Sequence, residues 1–289
     1  MVKVPQYVEE ASYPTADTDP TNPAFQWIGM VDSYDPKADM AHLLQRQVGS
    51  EDLKQMVKGA EAYDISLAYK LQTSTFSKYA IQAAGGGVGT IDKSLFIYAS
   101  ARLGGPTGTE NFIRANGCRI NRYTLRARTG GPIEASAEII ARNIIFNTTL
   151  VTLGTGSLAT DPATAPFMFY DGGANPVTFG TRTPDVREME VTFNRNLERV
   201  HVLGLSKQKF LPPRFRSIEG RFTILWEDLN QYTDLTGDTA QTLTWVLKTA
   251  TSTLTLTGCK YRKLDSLVLQ PEALALERYS FTALSASIT

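Results

Sequence analysis

Cysteine and histidine are the residues of this sequence best suited to chemistry, and each occurs twice. Cys118 and Cys259 are far apart in the chain, and neither has the CxxC or HxxxH spacing of a metal site. His42 and His201 leave little for a cysteine nucleophile, which needs an imidazole base. We therefore expect two buried structural cysteines without a disulfide between them, and two histidines at surface or boundary positions.

A glycine-rich run over 85–89 (Gly-Gly-Gly-Val-Gly) invites interpretation as a phosphate-binding loop. It lacks the Gly-Lys-Ser/Thr ending of such loops and follows a helix-like segment instead of a strand, so we expect a flexible loop that could dock on a neighbour. The acidic residues form no pattern that identifies a glycosidase pair. We expect solvated faces for them: Glu51 with Asp52, Glu188 with Glu190, and Glu61 alone.

Charge is balanced over the whole chain. The 289 residues include 29 Lys+Arg and 29 Asp+Glu, which argues against a dedicated nucleic-acid binder and leaves no net-charge barrier to self-association. The densest basic cluster comprises Arg119, Arg122, Arg126 and Arg128. It could be a DNA-facing stripe, but salt bridges between subunits or a solvated strand face are favoured. The sequence thus predicts no catalytic residue, no cofactor and no metal.

The elements that hold these residues are mostly strands. Tyr63 to Tyr69 alternates between apolar and polar positions, which is typical of a half-buried strand. Short helices are predicted over Ser74 to Ala84 and over Glu227 to Leu235, and Asp39 to Met56 could contain helical turns. No apolar stretch is long enough for a membrane span, and no signal peptide is evident.

An internal duplication is the most informative feature. Residues 117–123 and 258–264 share the pattern Gly, Cys, basic, apolar, polar, basic, apolar. The same order of elements surrounds both: strand, variable connection, strand, short helix, strand, Gly-Cys strand and long final strand. We divide the chain into an N-terminal arm (1–24), a first β domain (25–150), a linker or loop insertion (151–184) and a second β domain (185–289).

Each β unit of this size must close into a barrel or a sandwich to protect its edge strands. The predicted fold is therefore mainly β, with two tandem barrel or sandwich units and one short helix in each. Three such chains would present six equivalent units around a ring. We expect the arm and the 151–184 segment, which are rich in Pro, Gly and Thr, to make contacts between rings.

The order of elements resembles the tail tube (major tail) proteins of long-tailed bacterial and archaeal viruses. The segments that carry the resemblance are Ile218–Ile224 followed by Asp228–Tyr232, then Val191–Glu198, then Gly29–Asp35, together with the two Gly-Cys strands. The resemblance spans roughly 25–289. It implies a protein without activity or cofactor that forms rings, stacked into a hollow tube in the virion tail after assembly in the host cytoplasm.

The resemblance further implies that double-stranded DNA passes through the lumen without specific contacts. The implied partners are the protein itself, the tape-measure protein, the tail terminator and the tail tip proteins. Two alternatives stay open. One is another virion β protein, such as a capsid decoration or baseplate component. The other is a carbohydrate-binding β-sandwich with aromatic platforms at Trp27, Trp226 and Trp245, and polymerisation would distinguish it from a tube protein.

Overall fold

The computed structural model describes residues 3–14, 20–21, 23–46, 53–82, 90–102, 110–147, 157–162, 164–225, 230–268 and 275–289. Strands dominate, which confirms the predicted mainly β class. The first group of strands is β1 (Lys3–Glu9), β2 (Gln26–Trp27), β3 (Met30–Arg46), β4 (Leu53–Lys70), β5 (Leu95–Arg102), β6 (Glu110–Arg128), β7 (Glu134–Ala141) and β8 (Asn143–Asn147). The second is β9 (Val177–Phe179), β10 (Val186–Asn194), β11 (Ser217–Leu225), β12 (Gln241–Lys248), β13 (Ser252–Val268), β14 (Leu276–Ala283) and β15 (Ser285–Ile288).

A central antiparallel sheet runs through the whole molecule. Its order is β3-β4-β7-β6-β10-β11-β14-β13. Two smaller groups of strands continue from it, β2-β1-β5-β6-β8 and β9-β12-β13-β15. The apolar faces of these layers share one main core, in which the alternating residues Tyr63, Ile65, Leu67 and Tyr69 are all buried, as their pattern predicts.

The Gly-Cys pairs mark the points where two long strands change partners. Strand β6 pairs with β5 and β8 up to Cys118 and with β7 and β10 beyond it. Strand β13 pairs with β12 and β15 up to Cys259 and with β14 beyond it. Gly117 has a φ of +62° and Gly258 a φ of +64°, a left-handed conformation that glycine adopts without steric cost.

Strand pairing follows one scheme twice. The elements β3, β4, β5, β6, β7 and β8 pair among themselves as β10, β11, β12, β13, β14 and β15 do. Even a register shift recurs, at Val31/Ser33 in β3 and at Val186/Glu188 in β10. The two sets join where β6 pairs with β10. The domain boundaries given above, and the division into tandem barrel units, stay predictions.

Two short helices lie at equivalent places in the two sets, α1 (Thr75–Ile81) and α2 (Asn230–Thr236). Helix α1 lies inside its predicted segment, and α2 extends one residue beyond the predicted end at Leu235. Helix α1 buries Phe76, Tyr79 and Ile81 against the core, so packing of one face stabilises this single pair of turns. The helical turns considered for Asp39 to Met56 are wrong for its described residues, which pair as the antiparallel strands β3 and β4.

Parts of the predicted arm and linker belong to the core. Strand β1 pairs with β5, and Tyr7 is fully buried with its ring 5.1 Å from that of Phe76. In the 151–184 segment, Phe167 is buried and β9 pairs with β12. The sequence pattern misses both because each contributes only a few apolar residues among many polar ones.

Candidate functional site

The candidate site is the polar face of the central sheet, with the two edges of that sheet. Side chains alternate along a strand, so Tyr123 and Leu125 of β6 face the core while Thr124 and Arg126 lie on the opposite face. The same alternation holds in β10, where Met189, Val191 and Phe193 are buried and the intervening residues are partly exposed. The face is therefore polar because the apolar side chains of these strands all point to the core.

A cluster of ion pairs spans the junction of β6, β10 and β11 on this face. Glu188 Oε1 accepts hydrogen bonds from Arg126 Nη2 at 2.6 Å and Arg128 Nε at 2.8 Å. Glu190 Oε2 accepts one from Arg221 Nη2 at 2.9 Å. Each exposed pair is worth at most about 1 kcal/mol. As a network, however, they place opposite charges side by side across both the β6–β10 and the β10–β11 contacts.

The four-arginine cluster of the sequence therefore separates into two environments. Arg126 and Arg128 pair with Glu188, and Arg122 lies 3.8 Å from the Glu138 carboxylate. Arg119 is half-buried and donates hydrogen bonds to the backbone carbonyl oxygens of Leu211 and Asp92. Arg122, Arg126 and Arg128 each lie beside a glutamate of the same chain and so do not form a stripe of unpaired cations, while the DNA-facing role of this face stays a prediction.

The sheet has two outer edges among the described residues. Strand β3 pairs only with β4, and residues 260–268 of β13 pair only with β14. Both edges carry exposed charges. Lys37 lies 3.1 Å from Asp35 on β3, and Lys263 lies 3.3 Å from Asp265 on β13. Charged residues on an unpaired edge discourage non-specific strand addition.

Each set of strands has an extension between its first two strands. In the first set, between β3 and β4, it is an apolar ribbon, and in the second, between β10 and β11, it is an apolar loop. Strands β3 and β4 pair beyond the reach of β7 as a two-stranded ribbon that exposes Met40, Leu44 and Met56. In the second set, residues 195–216 occupy the corresponding connection. This loop exposes large apolar side chains, namely Leu203, Leu205, Phe210 and Phe215. Contiguous exposed apolar patches mark protein contacts, whereas single exposed apolar residues are ordinary.

Glu61 is buried, so the solvated face expected for it is wrong, and its side chain joins the base of the ribbon to that loop. Its carboxylate accepts hydrogen bonds from the Tyr63 hydroxyl and from Ser206 Oγ, and it forms an ion pair with Lys58 at 2.7 Å. Burial by itself would raise the pKa of Glu61. The hydrogen bonds from Lys58, Tyr63 and Ser206 outweigh burial and lower the pKa to about 2.

The remaining candidate residues do not come together. Cys118 and Cys259 are both free and fully buried in the core, as expected, while His42 and His201 are exposed. The glycine run over 85–89 and the Glu51–Asp52 pair lie outside the described residues. The described part of the chain holds no group of three or more potential metal ligands.

Of the three tryptophans, Trp245 is buried, and Trp27 donates from Nε1 to Gln72 Oε1 at 2.7 Å. Trp226 lies outside the described residues. None of the helices in the described ranges is long and apolar enough to cross a membrane.

A family model described as phage tail tube protein matches residues 6–283, nearly the whole chain. The chain belongs to the phage tail tube protein family. A comparison with curated protein sequences finds no match. Membership confirms the resemblance drawn from the sequence, and it makes the protein a structural component of the virion tail that associates with itself there.

Sequence reasoning missed two features that matter for a tail tube protein. The glutamate partners of the arginines were not identified, because Glu138 lies on β7 and Glu188 and Glu190 lie on β10, away from the arginines in sequence. The β3–β4 ribbon was not identified because Gly49 and a mixed composition obscured its alternation. A buried arginine, Arg195, was also missed, since an arginine next to asparagines in sequence resembles a turn residue.

Proposed function

We propose that this tail tube protein closes into rings by joining the two outer edges of its central sheet, β13 of one chain to β3 of the next. The repeated pairing scheme carries the proposal. In the repeat, β6 corresponds to β13 and β10 to β3. The counterpart of the β6–β10 pair is therefore a β13–β3 pair. Because β13 and β3 lie at opposite edges of the sheet, that pair would form between two copies of the chain.

The register follows from the equivalent positions. Within the chain Phe193 pairs with Tyr123, and Asn194 with Arg122. The shared register shift aligns Ala38 with Phe193, and the Gly-Cys pairs align Leu264 with Tyr123. Ala38 of one copy should therefore lie opposite Leu264 of the next. Asp39 then lies opposite Lys263, and Lys37 lies near Asp265. Both contacts bring opposite charges together, as the Arg126–Glu188 contact does inside the chain, and cross-strand charge pairs favour the correct register.

The width of the sheet sets three as the smallest number of chains whose ring would admit hydrated DNA. Each chain contributes the eight strands named above. With strands about 4.8 Å apart and tilted by about 40°, three chains close into a barrel about 48 Å across at the backbone. Side chains of about 5 Å on each wall leave roughly 38 Å, which admits a duplex about 20 Å wide. Two chains would leave roughly 22 Å by the same reasoning, with no room for hydration.

The polar face would line the lumen of such a ring. Its arginines are held by glutamates, so the surface offers DNA few free cations. Because each phosphate neutralised by a cation adds affinity, a wall of paired charges would let double-stranded DNA slide. We further propose that the apolar ribbon and the apolar loop stack successive rings, and that the tape-measure, terminator and tip proteins bind the ends of the tube assembled in the host cytoplasm.

Negative-stain electron microscopy with charge-reversed edges tests this function. The wild-type protein should form hollow tubes or rings, and Lys263→Glu should suppress them by placing a carboxylate opposite Asp39. Adding Asp39→Lys should restore assembly, while Arg262→Glu, the same change at the neighbouring exposed position, should leave it intact. Assembly that Lys263→Glu does not affect would refute edge pairing. A monomer that binds glycans would favour the carbohydrate module, and attachment to capsids or baseplates without tubes would favour another virion protein.

A further inference from the structure

Arg195 is the largest fully buried side chain of the described residues, and part of its guanidinium has no partner there. It follows strand β10 and is 2% exposed. Its Nη1 donates to the Ile120 carbonyl oxygen at 3.2 Å. Its Nε and Nη2 are buried and make no hydrogen bond within the described ranges. A buried N–H group without an acceptor carries its full desolvation cost, and a charged one costs more than a neutral one.

Two more arginines converge on the same region from neighbouring strands. Arg119 of β6 donates from Nη1 to Leu211 O at 2.8 Å and from Nη2 to Asp92 O at 2.6 Å. Arg216, next to β11, donates from Nη2 to Ile81 O at 2.7 Å. All these acceptors are neutral carbonyls.

The Nε atoms of both arginines are buried and lack a hydrogen-bond partner in the described part of the chain. With the two nitrogens of Arg195, four guanidinium nitrogens are left with N–H groups to donate.

Carboxylates do not balance these three cations. Asp92 acts on both Arg119 and Arg195, and Glu10 acts on Arg119. Glu10 already accepts from the Gly117 backbone N–H at 3.1 Å. Burial, followed by the positive charges of Arg119 and Arg216, lowers the pKa of Arg195 to about 9. Among the described residues, three cations therefore share two carboxylates, Asp92 and Glu10.

We propose that Arg119, Arg195 and Arg216 form a structural site for a small free inorganic oxyanion, phosphate or sulfate. Guanidinium groups bind such ions through paired, directional N–H donors, and a tetrahedral ion accepts from several directions at once. Arg195 is too deeply buried for DNA to reach. A bound anion would hold β6 to the strands β10 and β11, and so would stabilise the junction between the two sets.

Phosphate-dependent unfolding of the dilute full-length protein tests this site apart from assembly. The protein is purified without phosphate or sulfate, and its unfolding midpoint is measured in sodium phosphate, sodium sulfate and sodium chloride at matched ionic strength. We expect a saturable rise with phosphate. At 100 times the dissociation constant the unfolding constant falls about 100-fold. Isothermal titration should give one phosphate bound per chain.

Two variants and a control assign the site. Arg195→Met should lose the saturable response, and Arg195→Lys, which keeps the charge but loses the fork, should weaken phosphate binding at least about tenfold. Arg214→Met is the matched control, since Arg214 is exposed and pairs with Glu198. It should respond as the wild type does, general salting effects included. Equal responses of wild type and Arg195→Lys, no response beyond that in chloride, or a response only in assembled protein would overturn the proposal.

Discussion

Alanine at the two strand bends should destabilise the protein unequally, although both glycines adopt the same conformation. Gly117 and Gly258 have φ values of +62° and +64°, so alanine at either position is strained by about 1–2 kcal/mol. Part of that cost, about 0.4–1 kcal/mol, is offset because alanine restricts the unfolded chain. The backbone contribution is therefore nearly equal at the two sites, and any difference must come from packing.

The two sites differ in how freely the neighbouring atoms can move. A Cβ added there would lie 2.7 Å from the Cβ of Arg142 and 3.2 Å from the Cγ of Pro14, and a neighbouring Cβ cannot move without its backbone. At Gly258 the nearest atom is Cδ1 of Leu284 at 2.6 Å. Leu284 is 86% exposed, so its side chain can rotate away. We expect Gly258→Ala to cost under about 2 kcal/mol, and Gly117→Ala to cost about 1–3 kcal/mol more through overpacking.

Urea unfolding followed by circular dichroism measures both variants. Adding Leu284→Ala to Gly258→Ala removes the Cδ1 and Cγ atoms nearest the new methyl group and leaves the Leu284 Cβ at 3.1 Å, so it should recover only the small steric part of the loss. Equal destabilisation at the two bends would refute the packing argument. No loss at either bend would refute the positive φ values themselves.

Three further predictions follow from buried groups. Tyr7→Ala should lower the free energy of unfolding by about 3–5 kcal/mol, because the ring is fully buried. Deletion of residues 1–10 should lower it at least as much, and an unchanged melting temperature would show that β1 is not part of the core. Cys118 and Cys259 should resist thiol reagents in the folded protein, since burial raises the pKa of Cys118 well above its usual range and that of Cys259 to about 11; rapid labelling would contradict this. The pKa of Glu61 is lowered to about 2 from a usual 4.5, so its ionised form stabilises the protein above about pH 4.5 and ceases to do so as the pH falls towards 2. The wild type should therefore have a higher urea midpoint than Glu61→Gln at pH 7 and lose that advantage in acid. A difference that stays constant with pH would refute this prediction.

The sequence predicts well where apolar periodicity is strong. The alternation from Tyr63 to Tyr69 and the repeated Gly-Cys pair locate their strands, because each signal is local. The ion pairs of the polar face depend on register across β6, β10 and β11, which no local pattern encodes. Arg195 is buried through tertiary packing alone, and β1 joins the core through few residues such as Tyr7, so neither has a periodic signature.

Cysteine cross-linking across the proposed ring contact tests the central claim most directly. In Asp39→Cys with Lys263→Cys the two thiols of neighbouring copies should lie opposite each other, within the Cα separation that a disulfide needs. The native cysteines are buried and should not interfere. Oxidation of assembled protein should give covalent oligomers that end at a closed ring of three chains, while either single variant gives none. Tubes that form without this cross-link, or that link equally well through Arg262→Cys, would contradict ring closure by β13 and β3 in the stated register.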